Sequence, residues 1–338
     1  MISLWLFLLL LLLHATSAGK LTEAENELRK EKCKPVESQA GTRFKRRQPV
    51  EASEYPFAAA FSRIEVYHGY RDLETGKTLE LHTEPACSGV LISPRHILTA
   101  AHCLYVDYKT SCSQSLRPTL RPAESIGFFL QSGCIEAECW NAKTPFKSTS
   151  ATVHPDYKAC EPDALNGATN DIAVVELRED VNNDPICMPE PNTAISNQRE
   201  FESIGYGKGD GKHRRIQSVR YDVVKEKGNI IFAYNVTNKN DVVEGDSGGP
   251  LIRKLRGKHY LFGIASKGVE ESKYYGYGEN PTISAGGYFA DVRKHLDWIC
   301  VESGVCSDTA NRQSESIPSL PLEPPLEFQK KFAENGNY

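Results

Sequence analysis

Three short segments of the chain carry side chains that could carry out acyl transfer together. The first is Glu244-Gly245-Asp246-Ser247-Gly248-Gly249-Pro250. A nucleophilic serine needs a backbone that turns its hydroxyl outward while nearby amide N–H groups converge on the developing oxyanion. Glycines on both sides permit that approach, because they adopt backbone conformations denied to other residues. Taken alone, a Gly-rich turn with a serine is more often a surface loop. The second segment, Leu98-Thr99-Ala100-Ala101-His102-Cys103, places an imidazole after an apolar run; alone, such a histidine is more often structural. The third, Asn170-Asp171-Ile172-Ala173-Val174-Val175, sets a carboxylate at the head of an apolar strand, where it becomes partly buried. A buried carboxylate is costly unless a charged or hydrogen-bonding group meets it. The imidazole could be that group, although an Asp at this place can also simply cap a strand or a turn.

The three segments in this order closely resemble the trypsin-like serine peptidase family, with its A-A-H-C histidine, D-I-A aspartate and G-D-S-G-G-P serine. The likeness runs from about residue 44 to about residue 300. It implies an all-β, chymotrypsin-like fold of two antiparallel six-stranded β-barrels with the site in the cleft between them. It also implies that Ser247 is the nucleophile, that His102 is general base and then acid, and that Asp171 orients His102 and stabilises its protonated form. The backbone N–H groups of Gly245 and Ser247 would form the oxyanion hole. By the same resemblance Asp241 lies at the bottom of the primary specificity pocket, selecting Arg or Lys before the scissile bond. Ser266, Gly268 and Gly287 would line that pocket. Two positions depart from the family pattern: Val243 stands where a cysteine is usual, and Lys267 where an aromatic residue is usual.

Activation departs further. In the family the carboxylate beside the serine, here Asp246, binds a new amino-terminus released by proteolysis. Counting back from Tyr55-Pro56-Phe57 puts the matching cut after Arg43, which would leave Phe44 at the new terminus. Lys45, Arg46 and Arg47 follow where the family has small apolar residues and glycines, and they resist burial. A cut after Arg46 or Arg47 and a plain solvated linker both remain open. The resemblance further implies disulfides Cys87–Cys103 and Cys33–Cys187, the second tying a cut propeptide to the body. The pairing of Cys112, Cys134, Cys139, Cys160, Cys300 and Cys306 stays open.

The elements that must position these groups are legible from patterning. Short apolar runs such as Phe57–Phe61, Gly89–Ile92, Asp171–Leu177 and Tyr260–Ala265, broken by Gly, Pro and Asn, predict many antiparallel strands. Val292, His295, Leu296 and Ile299 recur at helical spacing and predict a C-terminal α-helix over 291–300. Residues 1–18 read as a signal peptide: Ile2 to Leu13 is apolar but too short to span a bilayer, and Thr16-Ser17-Ala18 suits cleavage. Residues 19–43 read as a propeptide, helix-prone from Leu21 to Lys32. Residues 44–306 form the peptidase domain, and 307–338 a Pro- and Ser-rich disordered tail. Ten cysteines behind an export signal place the chain in an oxidising, extracellular compartment. Asn235-Val236-Thr237 is a glycosylation sequon there, with an unmodified Asn235 as the other outcome. Basic residues (40) are outnumbered by acidic ones (44) and form no long stripe, which removes the electrostatic reason to invoke nucleic acid. No zinc-type spacing is present, so no metal or cofactor is expected. The expected partners are protein or peptide substrates, an activating protease and protein inhibitors, with no membrane partner. Two functions follow: a secreted endopeptidase made as a zymogen, or a secreted non-catalytic binding or regulatory protein on the same fold.

Overall fold

The computed structural model describes residues 19–34, 47–71, 76, 78–160, 168–195, 200–208, 213–235, 242–268 and 285–307. The segment read as a signal peptide, the expected cut at Arg43–Phe44, Asp241 and residues 308–338 lie outside them. Two antiparallel sheets carry most of the described chain. The first uses β2 (Ala58–Arg71), β3 (Thr78–His82), β4 (Cys87–Leu91), β5 (His96–Thr99), β6 (Ile126–Leu130), β7 (Phe146–Val153) and β8 (Ala173–Leu177). Its order is β3-β2-β4-β5-β8-β7-β6, and β6 returns to pair with β2, so six of the seven strands close into a barrel. Ala60 sits in register with Ser88 on one side and Phe129 on the other, which marks the seam. A closed barrel leaves no exposed edge along those strands.

The second sheet runs β1 (Gln48–Pro49), β10 (Gln217–Tyr221), β9 (Phe201–Gly205), β13 (Pro250–Leu255), β14 (Lys258–Gly268), β15 (Ala285–Asp291), β12 (Ile230–Asn235) and β11 (Val223–Lys227) in spatial order. This all-β arrangement is the expected chymotrypsin-like double barrel. Phe201, Phe262, Val219, Ile231 and Phe289 pack inside the second unit. Burying each such side chain stabilises by about 1.5–3 kcal/mol. Every residue of β12 is buried, which fits its unbroken run Ile230-Ile231-Phe232-Ala233-Tyr234.

The predicted terminal helix is present but divided. A 3₁₀ turn, Val292–Lys294, is capped by the Asp291 side chain, which accepts from Arg293 N–H. His295, with φ −118°, separates it from the α-helix Leu296–Ser303. Asp291 is fully buried and prefers this local hydrogen bond and an ion pair with Arg293, which shortens the regular helix. The helix-prone amino-terminal segment forms α1 (Glu23–Lys32), closed at its start by a Thr22–Glu25 capping box. It is docked on the body rather than standing apart. Leu21 is buried and donates its N–H to Ser303 O at 2.8 Å; Asn26 Nδ2 donates to Cys306 O at 3.0 Å; Arg95 bridges Glu25 and Asp180. All ten cysteines are paired: Cys33–Cys187 and Cys87–Cys103 as the resemblance implies, with Cys112–Cys160, Cys134–Cys139 and Cys300–Cys306 completing the set.

Candidate active site

Strand pairing brings the imidazole and the carboxylate together. β5 ends at Thr99, opposite Ala173 at the start of β8. His102 lies three residues after Thr99, on the 3₁₀ turn Ala101–Leu104, and Asp171 lies two before Ala173. His102 Nδ1 is 2.7 Å from Asp171 Oδ2, and His102 N–H donates to Asp171 Oδ1 at 2.9 Å. The hydroxyl of Ser266 also donates to Oδ2. Asp171 is fully buried. Burial by itself would push its carboxyl up, but the charge of His102 and the hydrogen bonds from His102 and Ser266 outweigh it and hold the group below the usual carboxylate range. The preceding Asn170 takes a left-handed backbone, φ 57°, and its Oδ1 contacts His295 Nε2 at 2.9 Å, so the approach to β8 is anchored from the terminal segment.

The serine turn precedes β13 and belongs to the other sheet. Ser88 of β4 clamps it across the interface: Ser88 N–H donates to Ser247 O at 2.7 Å, and its hydroxyl donates to Gly245 O at 2.7 Å. Gly245 and Gly248 have φ of 100° and 84°, and a Cβ on Gly248 would run into Ser88 O and Thr99 Oγ1. Here glycine is required by both the dihedral and the close approach. The amides of Asp246, Gly248 and Gly249 are spent on the carbonyls of Val243, Ala265 and Asp246. Those of Gly245 and Ser247 have no such partner among the described residues, and both residues face the cleft. Two free amides beside a serine hydroxyl are what an oxyanion hole needs. Ser247 Oγ itself reaches toward Ser266 O at 3.5 Å. No hydrogen bond joins it to His102 Nε2 among the described residues.

His102 and Ser247 open into one cavity of about 640 Å³ between the two sheets, walled on one side by Val242–Gly245 and on another by Ser266–Gly268. The two glycines expected to line the specificity pocket are cross-strand partners, Gly268 opposite Gly287 on β14 and β15. Asp241 lies outside the described residues; its neighbour Val242 is buried and donates its N–H to Gly286 O at 3.3 Å. Ser266, expected as a pocket residue, lines this cavity, and its hydroxyl donates to Asp171. Cys87, His102 and Cys103 present ligand atoms within 4.8 Å of one another. Because the two sulfurs are bonded to each other they offer no thiolate, so this group is unsuited to a metal.

Several contributors escaped sequence reasoning. Tyr108 opens the helix α2 (Tyr108–Ser113), and its ring centroid is 5.6 Å from that of His102. Its hydroxyl receives hydrogen bonds from Tyr157 (2.9 Å) and from Cys160 N–H (3.1 Å), while Cys112–Cys160 bolts the helix to the same loop. The large segment between His102 and Asp171 therefore reaches the cleft, where Lys109 and Thr110 line it. Arg47 is the second surprise. Its guanidinium forms an ion pair with the Asp246 carboxylate. No spacing rule signals either contact. Asn235 is 1% exposed, with Oδ1 accepting from Asp222 N–H at 3.1 Å.

A profile of the nematode trypsin-6-like family matches residues 3–306. The chain belongs to that family. Among curated proteins it is 27% identical to spermosin of Halocynthia roretzi over 73% of this chain and 59% of that protein. It is 29% identical to the CLIP domain-containing serine protease B15 of Anopheles gambiae, over 64% of this chain and 61% of that one. With the urokinase-type plasminogen activator of Gallus gallus the identity is 26%, covering 63% and 50%. The chain thus spans between half and about three-fifths of these relatives' lengths. As a member of a trypsin-like family it carries the serine peptidase fold with five disulfides.

Proposed function

We propose that this nematode trypsin-6-like chain is a secreted serine endopeptidase with Ser247, His102 and Asp171 as its triad. The supporting observation is the convergence, in one cleft, of the His102–Asp171 pair with a serine turn whose Gly245 and Ser247 amides are unspent among the described residues. In this reading Ser247 Oγ attacks the scissile carbonyl while His102 Nε2 takes its proton and then passes it to the leaving amine. Asp171 holds the ring through Nδ1 and balances the imidazolium. The two amides receive the oxyanion, each contributing on the order of 3 kcal/mol. Water then cleaves the acyl-enzyme by the reverse sequence. Asp241 would select Arg or Lys before the cut, in a pocket widened by Gly268 and Gly287. Protein or peptide substrates and protein inhibitors are the partners this reading calls for. The relatives named as proteases and the oxidised cysteines support an extracellular setting.

One observation favours the second reading, a secreted binding protein without turnover: Ser247 Oγ is directed at Ser266 O and not at His102. Catalytic hydrogen bonds are often long before substrate arrives and tighten in the bound state. The test is hydrolysis of paired Arg- and Phe-ending peptide substrates by the secreted protein, with fluorophosphonate labelling and a Ser247→Ala control. Arg-selective turnover that vanishes in the control is expected. Selective cleavage after Phe would remove the role of Asp241, and absence of both labelling and turnover in folded protein would establish the binding protein.

A further inference from the structure

The ion pair beside the serine turn lies deep in the second sheet. Arg47 and Asp246 side chains retain only 11% and 9% of their exposure. Asp246 is held on three sides: Oδ1 accepts from Gly207 N–H at 2.9 Å, Oδ2 accepts from Val243 N–H at 3.0 Å, and the guanidinium of Arg47 also meets Oδ2. Arg47 is itself fixed. It immediately precedes β1, which pairs Gln48 with Ser218 and Pro49 with Gln217, and its Nη1 donates to Gln217 Oε1 at 3.2 Å. Gln217 Nε2 donates to Gly207 O at 3.1 Å. The four residues Arg47, Asp246, Gly207 and Gln217 therefore close a ring of hydrogen bonds that runs from the start of β1 to the residue next to Ser247. Glycines at 205 and 207 let the backbone pass against the carboxylate, since a Cβ at either place would overlap Asp246.

We propose that Arg47 is the standing counter-ion of Asp246 and a positioning residue for the Ser247 turn, so that the turn is shaped in the uncut chain without a newly freed amino-terminus. The basic run that makes insertion of a Phe44 terminus difficult is then what supplies the charge from within the chain. The physical reason is the cost of a buried, unpaired carboxylate, which the turn would relieve by moving Asp246 toward water. That movement carries the neighbouring amides of Gly245 and Ser247 with it, and displacing an oxyanion donor lowers kcat more than it weakens binding. The catalytic half of this proposal rests on the peptidase reading, whereas the tether itself does not.

Two measurements on the full secreted chain separate them. The first is peptide-level hydrogen exchange across residues 242–249 in a Ser247→Ala background, which needs no activity. With Arg47→Gln, exchange there is expected to accelerate by about a hundredfold, and Arg47→Lys, which keeps the charge and loses the fork, should restore most of the protection. Unchanged exchange in Arg47→Gln overturns the proposal, and so does a Lys variant no better protected than Gln. The Lys variant also serves where Gln prevents secretion, because its exchange must then lie close to the parent's. The second is turnover by a chain made uncuttable with Arg43→Gln, Lys45→Gln and Arg46→Gln, with mass spectrometry verifying that the bond after Arg47 also stays intact. It is expected to keep kcat within about threefold of the parent, while Arg47→Gln loses about a hundredfold in kcat at nearly constant KM. An uncuttable chain that is silent beside an active, cut parent overturns the proposal. A parent that never turns over while its serine turn is protected by Arg47 sinks the peptidase reading and leaves the tether standing.

Discussion

At the scale of single residues the site is defined by what surrounds Asp171. Its carboxylate is fully buried and survives as a charge because His102 and Ser266 meet it. Asp171→Asn keeps the shape but reverses the hydrogen-bonding demand on Nδ1, which turns the imidazole to the wrong tautomer; kcat is expected to fall by about 10⁴ with the fold intact. Ser266→Ala removes one hydrogen bond to a charged group, worth about 1.5–3 kcal/mol, and leaves the rest. A loss in kcat of roughly tenfold, with KM little altered, is expected from steady-state kinetics. A change confined to KM would instead make Ser266 a pocket residue, as the sequence resemblance alone suggests.

At the scale of elements, α1 is the least expected piece, because its polar composition reads as a propeptide tied on by one bridge and not as a segment packed against the body. It is held by a bridge at Cys33, by a buried Leu21 and by the ion pair from Glu25 to Arg95. That pair also holds the Glu25 carboxyl down to about 2, chiefly through the Arg95 hydrogen bond. A cut anywhere in residues 35–46 should therefore leave α1 attached on a non-reducing gel and release it only when reductant and denaturant are combined. Gly304 ends the terminal helix with φ 74°, and a Cβ there would run into the Leu21 backbone. Gly304→Ala is expected to destabilise by about 1–3 kcal/mol through the left-handed backbone and the displaced Leu21. Thermal unfolding would register the loss. Removing the bridge with Cys112→Ser and Cys160→Ser frees α2 and Tyr108 beside His102, so its effect belongs on substrate range and KM as well as on stability.

At the scale of the whole molecule, buried histidines set the acid limit. His96 of β5 and His259 of β14 are both pushed down to about 4, in each case mainly by burial. The folded protein therefore holds them neutral, while the unfolded chain protonates them near the ordinary value of about 6.5. Between those two values the unfolded state binds more protons, and stability falls as pH falls. It is fully present above about pH 6.5 and declines toward pH 4, by roughly 3 kcal/mol for each histidine if the full shift is expressed. Denaturant midpoints measured at pH 7.5 and pH 4.5 would show the decline, and His96→Gln should flatten it. A slope unchanged in that variant would remove His96 from the account.

Much of this architecture was legible in the chain. The order His102, Asp171, Ser247, the glycines of the serine turn and the short apolar runs carry strong local signals, because strand period and turn geometry are properties of adjacent residues. The disulfides Cys33–Cys187 and Cys87–Cys103 followed from resemblance, whereas the other three bridges needed coordinates, since spacing alone does not choose among cysteines. What only the tertiary structure decided are contacts that no local sequence pattern signals. These are the Ser88 clamp on the serine turn, Ser266 on Asp171, Tyr108 against His102, and Arg47 on Asp246. Each depends on which side chains the packed strands and their connecting segments bring within a few ångströms of one another. A basic residue in a linker-like run looks solvated in the sequence, and becomes a buried counter-ion because the pairing of β1 with β10 carries Arg47 to the Asp246 carboxylate.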